Sequence, residues 1–172
     1  MSPRFANLAE GGVAVAELLS PPSEAIVLAI LPNGVPPALE IAARHGLAVY
    51  GVRLDRDDVV QVIELVVASD GAAAGVDVTG RAVIVVDDGV ETGSAAHVVG
   101  RALRDAGAAS LILAVAVCPR EGEARLALLY DEIVAVDRPM VRRSLRWHYE
   151  DFDVLDEVEA LRRLSEHDAS LG

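Results

Sequence analysis

Apolar runs of strand length recur along this chain and alternate with stretches where apolar residues fall at helical spacing. The runs cover residues 25–31, 48–54, 59–68, 82–87, 110–117 and 133–136. Most are continuously apolar, which marks strands buried on both faces, as in a parallel sheet. Helical spacing marks 4–19, where Phe5, Leu8, Val15, Leu18 and Leu19 share one face; Gly11-Gly12 weaken it locally and Ser20-Pro21-Pro22-Ser23 stop it. A second helix has Pro37 in its first turn, runs to about His45 and is closed by Gly46. A third spans 93–106, turns Val98, Val99, Ala102, Leu103 and Ala106 inward and ends at Gly107; shorter ones occupy 119–129 and 154–164. Residues 69–80 read as a loop, and the acidic link Arg56-Asp57-Asp58 fits no element. Strands alternating with helices predict a single α/β domain over 1–172, with a central, mostly parallel sheet of about five strands, helices on its flanks and right-handed crossovers. There is no repeat and no linker that would divide it.

Composition narrows the class. Apolar residues make up 52% of the chain but aromatics only 3%, so the core is expected to be built from small aliphatic side chains. No apolar run approaches the roughly 20 residues of a membrane helix, and no secretion signal is evident, so a cytoplasmic protein without membrane association is expected. Cys118 is the one cysteine, which excludes an internal disulfide; at the end of an apolar run it reads as buried filler rather than a nucleophile. The net charge of −12 argues against a nucleic-acid partner, which would need its phosphates neutralised. All 15 basic residues are arginine. Schiff-base catalysis and a P-loop lysine are therefore excluded.

Candidate chemistry concentrates in 82–95, Ala-Val-Ile-Val-Val-Asp-Asp-Gly-Val-Glu-Thr-Gly-Ser-Ala. A buried strand ends in Asp87-Asp88, turns through Gly89-Val90-Glu91-Thr92 and enters a helix at Gly93-Ser94. A helix N-terminus offers unpaired N–H groups and the positive end of its dipole, which suits a phosphate. Paired carboxylates suit a sugar diol or a hydrated cation. A phosphorylated ribose carries both demands. The alternative is an ordinary strand–turn–helix corner in which the two aspartates cap the turn.

The stretch resembles the signature of the type I phosphoribosyltransferases: an apolar strand, two acidic residues and a Thr-Gly turn into a helix. Tyr149-Glu150-Asp151-Phe152 after Trp147, and the N-terminal Phe5-Ala6-Asn7-Leu8-Ala9-Glu10-Gly11, are similar to segments of a bacterial branch of that family. The resemblance implies a Rossmann-like fold and transfer of phosphoribose from 5-phosphoribosyl 1-pyrophosphate to a nitrogen nucleophile, with magnesium, in a homodimer. Asp87 and Asp88 would then be the catalytic pair, holding the ribose hydroxyls and meeting magnesium only through substrate or water. Gly89, Val90, Glu91, Thr92, Gly93 and Ser94 would wrap the 5′-phosphate. Asn33, Gly34 and Val35 would form the pyrophosphate loop, in a backbone conformation that Asn and Gly tolerate; the alternative is a plain Pro-Asn-Gly turn. Arg53 would contact pyrophosphate, or else be a surface arginine at a strand end. Trp147 or Tyr149 would stack on the acceptor, a nucleobase or another amine, or else anchor the last helix. The basic segment from Arg138 to Arg146 reads as an anion site, an interface patch or a solvated face.

Three departures from the family stand out: Asn33 where relatives carry arginine, Leu54 where they carry a basic residue, and an interval of roughly 55–81 too short for their lid and hood. A non-catalytic module that binds phosphoribosyl pyrophosphate or a nucleotide is therefore the competing expectation.

Overall fold

The computed structural model describes residues 2–57 and 59–171, so Asp58 of the acidic link lies outside the described residues. The apolar runs form the sheet: β1 (Ile26–Ile30), β2 (Val49–Asp55), β3 (Gln61–Val67), β4 (Ala82–Val86), β5 (Ser110–Val117) and β6 (Glu132–Asp137). They lie in the order β3-β2-β1-β4-β5-β6, six strands rather than about five. The five from β2 across to β6 are parallel; β3 is added antiparallel to β2 at the edge. Its first residues are partly exposed while all of β1 is buried, as expected of an edge and a centre.

Alternation along each strand feeds two aliphatic cores. Val27, Ala29, Ile84 and Val86 face one side, packed on α1 (Leu8–Leu18), α2 (Val35–His45) and α5 (Glu157–Leu171). Ile26, Leu28, Val83 and Val85 face the other, under α3 (Ser94–Asp105) and α4 (Arg120–Leu126). Cys118 is fully buried in this second core, and burial pushes its thiol up to about 11, so it is inert filler. No helix among the described residues is long and apolar enough to cross a membrane.

Three helix features differ from the pattern. The first helix starts at Leu8 because the Asn7 side chain accepts the Glu10 N–H at 2.9 Å and caps it there. Gly11 and Gly12 do not interrupt it. They are its packing surface: a Cβ on Gly12 would lie 2.4 Å from Pro37 Cα, so only glycine lets α1 approach α2. The last helix begins at Glu157 rather than 154 and runs on to Leu171, capped by Asp156 Oδ1 on the Glu159 N–H at 2.8 Å.

The chain leaves β1 outward to β2 and β3, then returns to β4 on β1's other side. The sheet order therefore reverses between β1 and β4, and the crevice beyond their carboxyl ends is the expected ligand position. Asn33-Gly34 follows one strand and Asp87-Asp88 the other.

Candidate functional site

β4 delivers Asp87 and Asp88 to that crevice, where both line a cavity of about 360 Å³ together with the whole turn from Gly89 to Ser94. The turn exists because its glycines permit it. Gly93 has φ +85° and caps α3 in the left-handed region, and Gly89 has φ +156° and lies against Leu145, whose Cδ2 would be 2.6 Å from an added Cβ. Val90 N–H is bonded to Val117 C=O at 2.8 Å, and Ser94 N–H to Thr92 Oγ1 at 3.3 Å. The N–H groups between them, on Glu91, Thr92 and Gly93, have no partner among the described residues. With the α3 dipole behind them they form a cup of amides, an arrangement chemically suited to an anion.

The two carboxylates line the same cavity. Asp88 is only 9% exposed and Asp87 is part-buried. Asp87 Oδ1 accepts the Asp88 N–H at 2.8 Å, and Asp88 Oδ2 accepts Asn33 Nδ2 at 3.4 Å. Desolvation, and after it the neighbouring Asp88 charge, push the Asp87 carboxyl well above the ordinary carboxylate range. Desolvation also raises Asp88, against opposing hydrogen bonds from the Asp87 and Asn33 side chains. The Arg56 charge pulls both downward. Such a pair is poised to take a cation or a ring of hydroxyl donors, either of which relieves the repulsion.

Behind the pair the corner is fastened by the C-terminal segment. Tyr149 O–H donates to the Asp88 carbonyl at 2.5 Å, and the Leu155 N–H donates to Asn33 Oδ1 at 2.9 Å. Tyr149 is itself wedged between Phe5 and Phe152, with ring centroids 5.6 and 5.5 Å away.

Several expected roles move. Asn33 is at the cavity, but its amide is committed to Asp88 and Leu155. Gly34 has φ −72°, an ordinary helical value, so the positive φ that Asn and Gly tolerate is not used there; the loop's unusual bond is the cis Leu31–Pro32 peptide just before Asn33. Glycine is needed there for space, because a Cβ would sit 2.5 Å from Val86 O and 2.7 Å from Ile30 O. Val35 opens α2 and is buried in the core. Arg53 is turned away from the cavity: its guanidinium meets Glu64, Glu157 and the Gly71 carbonyl, an ion-pair cluster joining the β2–β3 hairpin to α5. Trp147 is 67% exposed and lines a different cleft, while Tyr149 is 3% exposed behind Asp88, so neither offers a stacking face to this cavity. Its apolar wall is instead Leu145 and Phe152, and its arginine is Arg56. Arg56 is legible in sequence as the residue just past a strand's carboxyl end, but its acidic neighbours mask it. Leu145 and Phe152 carry no signal until the fold is known.

A doubly covered, mostly parallel sheet with two acidic residues and a helix start at its switch point defines an α/β domain of the doubly wound class. The chain belongs to the phosphoribosyl transferase domain family, whose profile matches residues 12–138. Two Mycobacterium tuberculosis proteins (strains CDC 1551 and H37Rv), each provisionally named a phosphoribosyl transferase, are 31% identical to it over 178 aligned positions. The match takes in 90% of this chain but spans only 40% of the length of those relatives. TT1426 from Thermus thermophilus is similar with a TM-score of 0.78 and 22% identity, over 95% of this chain and 98% of that one. The purine phosphoribosyltransferase of Pyrococcus horikoshii follows the same fold, with a TM-score of 0.58 and 17% identity over 87% of this chain and 92% of its own. The adenine phosphoribosyltransferase of Rhodothermus marinus does so at 0.56 and 18%, over 74% and 77%.

Proposed function

We propose that the cavity binds 5-phosphoribosyl 1-pyrophosphate with magnesium, and that the chain transfers the phosphoribosyl group to a nitrogen nucleophile and releases pyrophosphate. One observation carries the reading: two desolvated carboxylates and three amide N–H groups without protein partners among the described residues line a single cavity at the switch point. The cup of Glu91, Thr92 and Gly93 takes the 5′-phosphate, remote from the bond that breaks, where fixed binding energy aligns the sugar. Asp87 and Asp88 take the ribose hydroxyls.

As the anomeric C–O bond lengthens, the electron pair leaves with pyrophosphate and positive charge grows on the sugar; the acceptor nitrogen then supplies the pair for the new C–N bond and gives up its N–H proton to water or to the departing pyrophosphate. Neighbouring carboxylates in a partly desolvated site favour that cationic state. The two carboxyls bond each other and accept the Asp88 N–H and the Asn33 amide, which leaves them spare lone pairs at the cavity. These hard donors fit a hydrated magnesium ion, which when bound offsets the pyrophosphate charge. Leu145 and Phe152 offer the acceptor an apolar wall, the role expected of Trp147 and Tyr149.

A second reading has its own support. With Asn33 and Arg53 committed elsewhere and no lysine in the chain, Arg56 is the one arginine among the described residues lining the cavity. That thin cation supply at the leaving-group end favours a module that binds the donor without turnover. Calorimetric titration with donor and magnesium, followed by pyrophosphate release across a nucleobase panel, separates the two. Release that disappears in Asp87→Asn/Asp88→Asn supports transfer. Binding with no release on any acceptor supports the binding module, and no binding at all overturns both.

A further inference from the structure

A second hollow, of about 500 Å³, opens at the carboxyl end of β6 and shares no lining residue with the cavity at Asp87 and Asp88. Its walls are built on ordered backbone. Trp147 rides on a 3₁₀ turn (Leu145–His148) anchored from below by buried Leu145 and Tyr149. The Arg4 and Phe5 N–H groups both donate to the His148 carbonyl, at 3.1 and 3.0 Å, which fastens the backbone carrying Arg4 beside that turn. Asp137, the last residue of β6, is tied to the sheet through its carbonyl, which accepts the Cys118 N–H at 2.9 Å. A ligand therefore meets a largely pre-formed backbone, and little ordering is needed when it binds.

Three kinds of group meet in this hollow. Arg4 and Arg143 both line it, are exposed, and have no carboxylate partner among the described residues. In a chain of net charge −12 that is a local concentration of positive charge, and planar guanidinium forks match a phosphate or a carboxylate. The carboxylate on the wall, Asp137, is turned to the histidine instead: its Oδ2 lies 3.3 Å from His148 Nδ1. That contact places a ring proton on Nδ1 and leaves Nε2 of the neutral ring as an acceptor. His148 Nε2 is buried and has no hydrogen-bond partner among the described residues, a costly state until an O–H or N–H reaches it. Trp147 is 67% exposed, and its ring stacks on no aromatic or cationic side chain among the described residues; Met140 and Val141 continue the apolar surface. A purely apolar ligand would leave the arginines and His148 unanswered, and an inorganic anion would leave Trp147 uncovered. A nucleic acid would face the acidic remainder of the chain, and the hollow has the size of a small-molecule pocket.

We infer that this hollow binds a small aromatic anion: a planar ring stacked on Trp147, its phosphate or carboxylate held by Arg4 and Arg143, and an O–H or N–H of the ligand on His148 Nε2. Such binding is independent of phosphoribosyl transfer. Trp147 is the chain's only tryptophan, so emission of the unmodified protein reports on the hollow directly. AMP and 4-hydroxybenzoate are the probes, one carrying a phosphate and the other a carboxylate. Saturable quenching by at least one is expected, with half-saturation between about 10 µM and 1 mM, and the tighter of the two identifies the anion. Adenosine, which lacks the anion, and ribose 5-phosphate, which lacks the ring, should bind at least about tenfold more weakly. Asp87→Asn/Asp88→Asn should leave the quenching intact, which separates this hollow from the cavity at the end of β4. In that background Arg4→Gln/Arg143→Gln, and Trp147→Ala followed by calorimetry, should each weaken binding about tenfold or more at unchanged Tm, since the replaced side chains are exposed. No saturable quenching by either probe up to the millimolar range, ribose 5-phosphate or adenosine binding as tightly as the probes, quenching indifferent to loss of the two arginines, or quenching lost with Asp87 and Asp88 overturns the inference.

Discussion

Replacing Tyr149 by phenylalanine isolates what the C-terminal segment does for the Asp88 corner. The ring stays wedged between Phe5 and Phe152, so only the O–H donated to the Asp88 carbonyl at 2.5 Å is removed. Tyr149 is 3% exposed, and water is poorly placed to replace the donor. Leaving a buried carbonyl short of a partner costs about 1–3 kcal/mol, and for a domain of this size each kcal/mol is about 2–4 °C in Tm. Urea denaturation should therefore show a lower midpoint at unchanged slope. Tyr130→Phe is the control, since Tyr130 is equally buried and donates to the Ala96 carbonyl at 2.7 Å on the other face of the sheet. Both variants should lose stability, but only Tyr149→Phe should also weaken donor binding, because only it loosens Asp88. A loss under about 0.5 kcal/mol, within ordinary surface-mutation scatter, or equal effects of the two variants on binding, refutes the reasoning.

Other outcomes follow from the same geometry. Gly34→Ala drives a Cβ into two backbone oxygens, at 2.5 and 2.7 Å, that cannot swing aside, and a loss of about 1–3 kcal/mol or more is expected in chemical denaturation. Arg56→Ala should reduce donor affinity about tenfold by calorimetry with little change in Tm, as expected of an exposed cation facing a multiply charged ligand. Arg53→Ala should do the reverse, lowering Tm through the hairpin–α5 cluster while leaving affinity nearly intact. Asp87→Asn should stabilise the ligand-free protein at neutral pH while abolishing donor binding, because desolvation and the Asp88 charge hold the Asp87 carboxyl above its unfolded value. For a carboxyl raised in this way, stability is fullest at low pH and falls as pH climbs from the ordinary carboxylate range towards the raised value. The advantage of the Asp87→Asn variant over wild type should accordingly vanish on acidification, as followed by Tm against pH.

Much of the fold is written in local pattern. Continuous aliphatic runs at 25–31, 82–87 and 110–117 admit no other placement than the sheet centre, and the parallel strands assemble around them. All six strands fall on the six apolar runs; what the pattern does not give is that β3 joins the edge antiparallel, a pairing decided by the hairpin rather than by apolar content. At the site, the 87–94 segment is legible because strand end, turn and helix start are contiguous in sequence. Residues that reach the cavity from elsewhere are not. Arg53 and Arg56 lie three positions apart, and only the presence of Glu64 and Glu157 in space decides which of them turns away. Tyr149 reads as a ligand platform because exposure cannot be inferred from residue type; burial makes it a brace.

Backbone amide shifts of ¹⁵N-labelled protein, titrated with 5-phosphoribosyl 1-pyrophosphate and magnesium, reach the central claim most directly. Saturable changes should be largest at Glu91, Thr92 and Gly93 and at Asp87 to Gly89, and should vanish in Asp87→Asn/Asp88→Asn. Shifts centred on any other part of the sheet edge, or none at all with a folded protein, would contradict it.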